Sequence, residues 1–236
     1  TTVTNASAGT VSVTTTVSGV ASPVATQNLL GTASATVITP SAPAGQGVAG
    51  VTCTRNGGGS EVGTWSGGSY TIAANVLAGD DVLNCSATVA KLPALTVKQS
   101  ILGRVSATDQ FTASVSAPAT SATTSGAGLG ENAVVLGPVS LAAGASVALT
   151  EKMATGAPSA LAAYKTWLTC TNGGATVFPR TLIAQTAGTA SQSITGAYGD
   201  DLVCTWELEA NAAKVTVASL TRKAGGALAF AGTNGY

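Results

Sequence analysis

The chain has no histidine, a single methionine, 4% aromatic residues and 8% charged residues in 236 positions. Soluble domains carry about 25% charged residues, so this surface must be solvated by hydroxyls and backbone amides. Without histidine, neither a Ser-His-Asp nor a Cys-His nucleophile can be assembled, and mixed cysteine and histidine zinc sets are excluded. Ten basic and ten acidic residues give zero formal charge, which excludes the basic excess that nucleic acid or anionic lipid would need. It also removes the self-repulsion that keeps small proteins apart, a tolerable state when the native form is an assembly. No run approaches the roughly eighteen apolar residues of a spanning helix, so no membrane insertion is expected. The cysteines lie too far apart for a metal site, and two disulfides formed in an oxidising compartment are the simpler account. No cofactor is expected. The chain starts at Thr1 rather than Met, as a secreted chain does after signal-peptide removal, though a cloned fragment would look the same.

What is present is an internal repeat. Val51-Thr52-Cys53-Thr54-Arg55-Asn56-Gly57-Gly58 matches Leu168-Thr169-Cys170-Thr171-Asn172-Gly173-Gly174 with one residue inserted. Further on, Gly79-Asp80-Asp81-Val82-Leu83-Asn84-Cys85 matches Gly199-Asp200-Asp201-Leu202-Val203-Cys204. The cysteines of each unit are 32 and 34 residues apart. Pairing Cys53 with Cys85 and Cys170 with Cys204 keeps each bridge inside one repeat, and loops of that size contribute about 3 to 4 kcal/mol in the chain-entropy picture.

In the second unit, apolar residues alternate with hydroxyl residues at 95–102, 110–116, 134–139, 146–151, 165–171, 181–184 and 202–208, separated by Gly, Pro, Ser and Asn clusters. About seven short strands without a helical period predict an all-β fold of two tandem immunoglobulin-like sandwiches. The stretch 158–163 could form a helical turn capped by Ser159, but reads better as a loop. The Gly/Ser/Ala-rich stretch 117–130 reads as a surface loop.

Aligned by their cysteines, the two units place 10–18 opposite 110–116, and nothing before it matches Leu95-Thr96-Val97-Lys98. More residues follow Cys204 than a last strand needs, and they read Lys214-Val215-Thr216-Val217-Ala218-Ser219-Leu220, with Val215 and Val217 matching Leu95 and Val97. Phe230 follows Val217 at nearly the spacing at which Phe111 follows Val97, with Leu228 just before it. The expected organisation is an incomplete sandwich at 1–90, a complete one at 91–211 and a donor-strand tail at 212–236. The strand missing from the first sandwich is expected from a neighbouring subunit's tail through Lys214, Val215, Val217, Leu220, Leu228 and Phe230.

The string Leu-Thr-Cys-Thr-Asn-Gly-Gly, a long loop, then Gly-Asp-Asp-Leu-Val-Cys-Thr-Trp resembles the Ig-like and prealbumin-like repeats of bacterial surface proteins, of the pilin and adhesin type. The resemblance spans most of 91–210 and, more weakly, 10–90. It implies a non-enzymatic, extracellular β-sandwich protein at the bacterial cell surface. Combined with the strand layout, it points to a filament subunit polymerising head-to-tail with identical copies; the alternative is a tandem spacer, or glycan-binding repeats, of a larger adhesin. Some such domains form a Lys-to-Asn isopeptide bond assisted by an acid. Lys98 and Glu151 hold places for two of the three partners, but this sequence has no Asn in the last strand, only Asn211 just beyond.

Adjacent acids Asp80-Asp81 and Asp200-Asp201 point to opposite faces of an extended chain, so a turn-forming role outweighs catalysis; a calcium site would need about six to eight oxygens. Trp167 and Trp206 are expected to pack near the second bridge. Trp65 and Tyr70, flanking a glycine-rich stretch, are the candidate contacts for a host or matrix glycan.

Overall fold

In this computed structural model, residues 2–5, 9–12, 34–78 and 80–211 are described. The strands run β1 (Thr2–Asn5), β2 (Gly9–Ser12), β3 (Thr36–Thr39), β4 (Gln46–Arg55), β5 (Thr64–Ser66), β6 (Ser69–Ile72) and β7 (Leu83–Lys91) in the first half. In the second half they are β8 (Ala94–Ile101), β9 (Phe111–Ser116), β10 (Ala119–Thr123), β11 (Gly130–Ser140), β12 (Ser146–Met153), β13 (Tyr164–Asn172), β14 (Ala175–Leu182), β15 (Gln185–Thr186), β16 (Thr189–Thr195) and β17 (Asp201–Ala210).

The second half is a sandwich of two five-stranded sheets, ordered β10-β9-β12-β16-β15 and β11-β8-β17-β13-β14. Alternation builds its core: Leu95, Val97, Gln99 and Ile101 of β8 and Leu202, Cys204, Trp206 and Leu208 of β17 all point inward and are buried. They meet Phe111, Val115, Val147 and Leu149 from the facing sheet. Each large apolar side chain buried this way contributes about 1.5 to 3 kcal/mol. All neighbouring strands are antiparallel except β17 and β8, which run parallel.

Three expectations are corrected here. The stretch 117–130 is not simply a loop, because β10 lies within it; its Ala-Thr-Ser-Ala-Thr sequence pairs by backbone with β9 and offers little apolar signal. The strand expected at 181–184 is split, with β14 ending at Leu182, Ile183 turning into the core and β15 following. At 158–163 a 3-10 turn forms over Leu161–Ala163, driven by burial of Leu161; its cap position is Ala160, and the Ser159 backbone N–H instead donates to Asp109.

The first half has one five-stranded sheet, β2-β1-β3-β6-β5, which repeats β10-β9-β12-β16-β15 position for position. Thus β1, and not 10–18, takes the place of β9. The same Thr/Val alternation reads through both arms of the β1–β2 pair, so pattern alone could not choose between them. Opposite lies a two-stranded sheet, β4-β7, corresponding to β13-β17. Among the described residues its core includes Ile38, Val51, Cys53, Tyr70, Ile72 and Leu77.

Only Leu92 and Pro93 separate β7 from β8. Leu92 N–H donates to Gly45 O, and Gly199 N–H to Lys91 O. Tyr198 donates its hydroxyl to Val48 O at 2.7 Å. A Cβ on Gly47 would sit 2.8 Å from the Tyr198 ring, so glycine is what lets that ring approach.

Candidate functional site: the open edge of the first repeat

Each repeat is tied by a bridge across one sheet. Cys53 is bonded to Cys85 and Cys170 to Cys204, and both pairs sit directly opposite each other on neighbouring antiparallel strands, Cα atoms 4.1 Å apart. The bridges therefore lie within a sheet rather than joining two.

The repeated Asn and Asp residues form a clasp beside each bridge. Asn172 donates from Nδ2 to Asp200 Oδ1 at 2.7 Å and accepts from Asp201 N–H, while Asp200 Oδ2 accepts from Ala197 N–H. In the first repeat Asn56 donates to Asp81 and accepts from Val82 N–H, and Asp81 accepts from Ala78 N–H. The Ala78 N–H, then Asn56 and the Arg55 guanidinium, hold the Asp81 carboxyl below the ordinary carboxylate range against the cost of burial. The acids fasten turns to hairpin ends, and among the described residues no three His, Cys, Asp or Glu side chains converge as a metal site.

Among the described residues Trp65 and Tyr70 do not form an exposed sugar platform. Tyr70 is wholly buried, its hydroxyl accepting from Gly63 N–H at 2.9 Å, so it cannot be a glycan contact. Trp65 stands directly opposite Tyr70 on a hairpin turned by Gly67 and Gly68 at positive φ, and so shares its inward face, half-buried against the first core. Trp206 is buried as expected of a core aromatic, but Trp167 is not beside the bridge. It lies on the outer face, half-buried, with the Arg180 guanidinium 4.0 Å above its ring and Arg180 bonded to Glu207.

Lys98 and Glu151 are not brought together either. Odd and even positions of β8 face opposite ways, so Lys98 points out to Glu131 at 2.6 Å, and Gln99 occupies the core. Gln99 Nε2 donates to Glu151 Oε1 at 2.6 Å, and burial pushes the Glu151 carboxyl up to about 8 despite that bond. In the parallel register Thr205 stands beside Lys98 and Trp206 beside Gln99, and β17 has no Asn to offer. A second buried acid, Asp109, accepts from the Tyr164 hydroxyl and from the backbone N–H groups of Ser106 and Ser159. Burial raises its carboxyl, but these bonds outweigh it and keep Asp109 below the ordinary range.

Among the described residues β7 is the least finished strand. Its counterpart β17 is flanked by β13 on one side and β8 on the other, and its inward residues Leu202, Cys204, Trp206 and Leu208 are at most 5% exposed. Strand β7 pairs with β4 alone among the described residues. Its equivalent residues Leu83, Cys85, Ala87 and Val89 are half-buried or exposed, Val89 by 42%. Cys85 is exposed although its partner Cys53 is fully buried. The expected donor residues Lys214, Val215, Val217, Leu220, Leu228 and Phe230 lie outside the described residues.

Comparison with known families assigns this architecture. Two models of the prealbumin-like fold domain match, one over residues 94–210 and one over residues 1–91. The chain is a pair of tandem prealbumin-like domains. Among solved structures it resembles the major pilin of Streptococcus pyogenes at 13% identity, over 74% of this chain and 68% of that one, with a TM-score of 0.25. No curated protein matches the sequence.

Proposed function

We propose that the chain is a non-enzymatic structural subunit of an extracellular bacterial filament, built as a head-to-tail polymer in which strand donation completes the first prealbumin-like domain. The observation that carries this reading is the β7 edge. Among the described residues no strand pairs with its second side, and the face that is buried in β17 is half-buried or exposed in β7. The tail at 212–236 carries the matching first-strand pattern. Because such a contact is heterologous and need not close on itself, it propagates into a fibre. Negative-stain microscopy of the purified chain is expected to show fibres, and deletion of residues 212–236 to abolish them; unchanged fibres from the truncated chain would place the donor elsewhere.

The spacer reading, in which these repeats belong to a larger adhesin, is supported by the two-residue connection between β7 and β8, which joins the two domains directly. In that case the chain stays monomeric at every concentration. A glycan-binding role loses Tyr70 and has only the half-buried Trp65 left.

A further inference from the structure

We propose that the occupant of the β7 edge is segment 214–221 of a second copy, running parallel to β7 in the register that β8 takes against β17. This rests on the filament reading and adds to it an orientation, a register and an occupant. In the complete domain Leu95 stands opposite Leu202, Val97 opposite Cys204, Gln99 opposite Trp206 and Ile101 opposite Leu208. Carried over through the cysteines, Val215 falls opposite Leu83, Val217 opposite Cys85, Ser219 opposite Ala87 and Thr221 opposite Val89. In this register Leu220 lies on the outer side, opposite Thr88.

The two cores are compatible with that exchange. The hairpins align Tyr70 with Ala190, and the cross-strand pairs Ile38–Tyr70 and Glu151–Ala190 then align Ile38 with Glu151. In the second domain the bulky aromatic is on β17, as Trp206, and small Ala190 lies on the other sheet of the same core. In the first it is on the other sheet, as Tyr70, and β7 has small Ala87. Gln99 is buried where it can bond Glu151; in the first domain an isoleucine replaces that acid, and the residue that falls at the Gln99 place is the small Ser219. An incoming strand there needs no amide, and Ser219 brings none.

The reach of the connection excludes the chain's own segment 214–221. Because β17 runs parallel to β8, it ends beside Leu102, whose N–H donates to Leu208 O, at the end of the second domain away from β7. Only residues 211–213 separate β17 from the inserted segment, reaching about 10 Å, whereas an eight-residue strand such as β8 spans about 26 Å. The polarity also fits a polymer. Within a chain, β7 passes directly into a strand parallel to β17; between copies, β17 would pass directly into a strand parallel to β7. Each joint between molecules would then repeat the joint inside one, and the filament would be an uninterrupted tandem array with its chain breaks displaced by one strand.

The test uses the full chain as monomer, held below the concentration at which it forms fibres and labelled with nitrogen-15, and excess synthetic peptide of residues 212–224 bearing a nitroxide at its amino end. Peptide binding is expected to slow phosphine reduction of Cys53–Cys85 by about tenfold or more, by covering Cys85, and to leave Cys170–Cys204 unchanged. The nitroxide should broaden amides at 82–84 and spare those at 89–91. A peptide with V217D should protect neither signal. Broadening at 89–91 would overturn the parallel register while leaving β7 a strand acceptor. Absence of protection at saturating peptide would overturn this inference and the acceptor reading together. A full chain that stays monomeric at all concentrations, with Cys53–Cys85 already resistant, would show the edge filled from its own polypeptide and overturn the second-copy occupant.

Discussion

Glu151 and Asp109 are both fully buried carboxyls of the second domain, and their hydrogen bonds give them opposite pH behaviour. Glu151 receives one bond, from Gln99, and its carboxyl sits at about 8 against an ordinary 4.5. A carboxyl raised on folding favours the folded state most below its unfolded value, and that advantage falls as pH rises through 8. The second domain should therefore lose stability between pH 5 and pH 8 through this residue, by a few kcal/mol in all. Glu151→Gln is expected to flatten that slope and raise the melting temperature at pH 8; a steeper loss in the variant, read by urea melts across pH, would contradict the assignment. Asp109 behaves in the reverse sense, since its lowered carboxyl stabilises above the unfolded value and that contribution disappears on acidification. Tyr164 joins the Asp109 site by donating to the carboxylate and accepting from Val105 N–H at 2.8 Å, and burial raises its hydroxyl to about 12. Tyr164→Phe leaves Asp109 one donor short, which costs about 1 to 3 kcal/mol in chemical denaturation and shrinks the acid-dependent part of the stability.

The repeated unit at the scale of elements is a hairpin end clasped to the turn before the next cysteine strand. Asn172 gives and receives one bond across 28 and 29 residues of sequence, and Asn56 does the same in the first domain. Asn172→Ala is expected to cost about 1 to 2 kcal/mol and to speed hydrogen exchange at Ala197 and Asp201, with β8 and β12 protected as before. Exposure also separates the two bridges: Cys204 and Cys170 are buried, but Cys85 is open. Limited reduction of the monomeric chain followed by peptide mapping should open Cys53–Cys85 about tenfold or more before Cys170–Cys204, because attack on a disulfide requires access to sulfur.

Strand legibility followed side-chain chemistry. Alternating apolar residues in β8, β9, β12, β13 and β17 announce a strand with one buried face. The Thr-, Ser- and Ala-rich β10 and β16 are held by backbone pairing and offer almost no alternation to read. Tyr70 departs from the sequence expectation for a related reason. The glycine-rich surroundings suggest exposure, but pairing with Ile38 turns the ring inward.

At the scale of the whole molecule the two domains are joined by two residues and a small contact in which Tyr198 reaches over Gly47 to Val48 O. Gly47→Val places side-chain atoms where the ring lies. It should leave the two domains folded but broaden the distribution of interdomain distances in small-angle scattering, with Tyr198→Ala producing the same change. A variant indistinguishable from the parent would mean that the short connection alone fixes the angle.

By itself the sequence determined an all-β chain of two repeats with one cysteine pair each, because composition, alternation and internal similarity are local or one-dimensional signals. It also excluded histidine-dependent chemistry outright, since an absent side chain cannot be supplied by folding. Which residues face each other was decided only by tertiary structure. Lys98 and Gln99 are neighbours in sequence, but the pleat sends Lys98 out to Glu131 and Gln99 in to Glu151. In the same way β7 and β17 share a sequence pattern, and only the sheet around each determines that β17 is buried on its inward face while β7, among the described residues, is open there: burial belongs to the strand next door, and the sequence of a strand does not contain its neighbour.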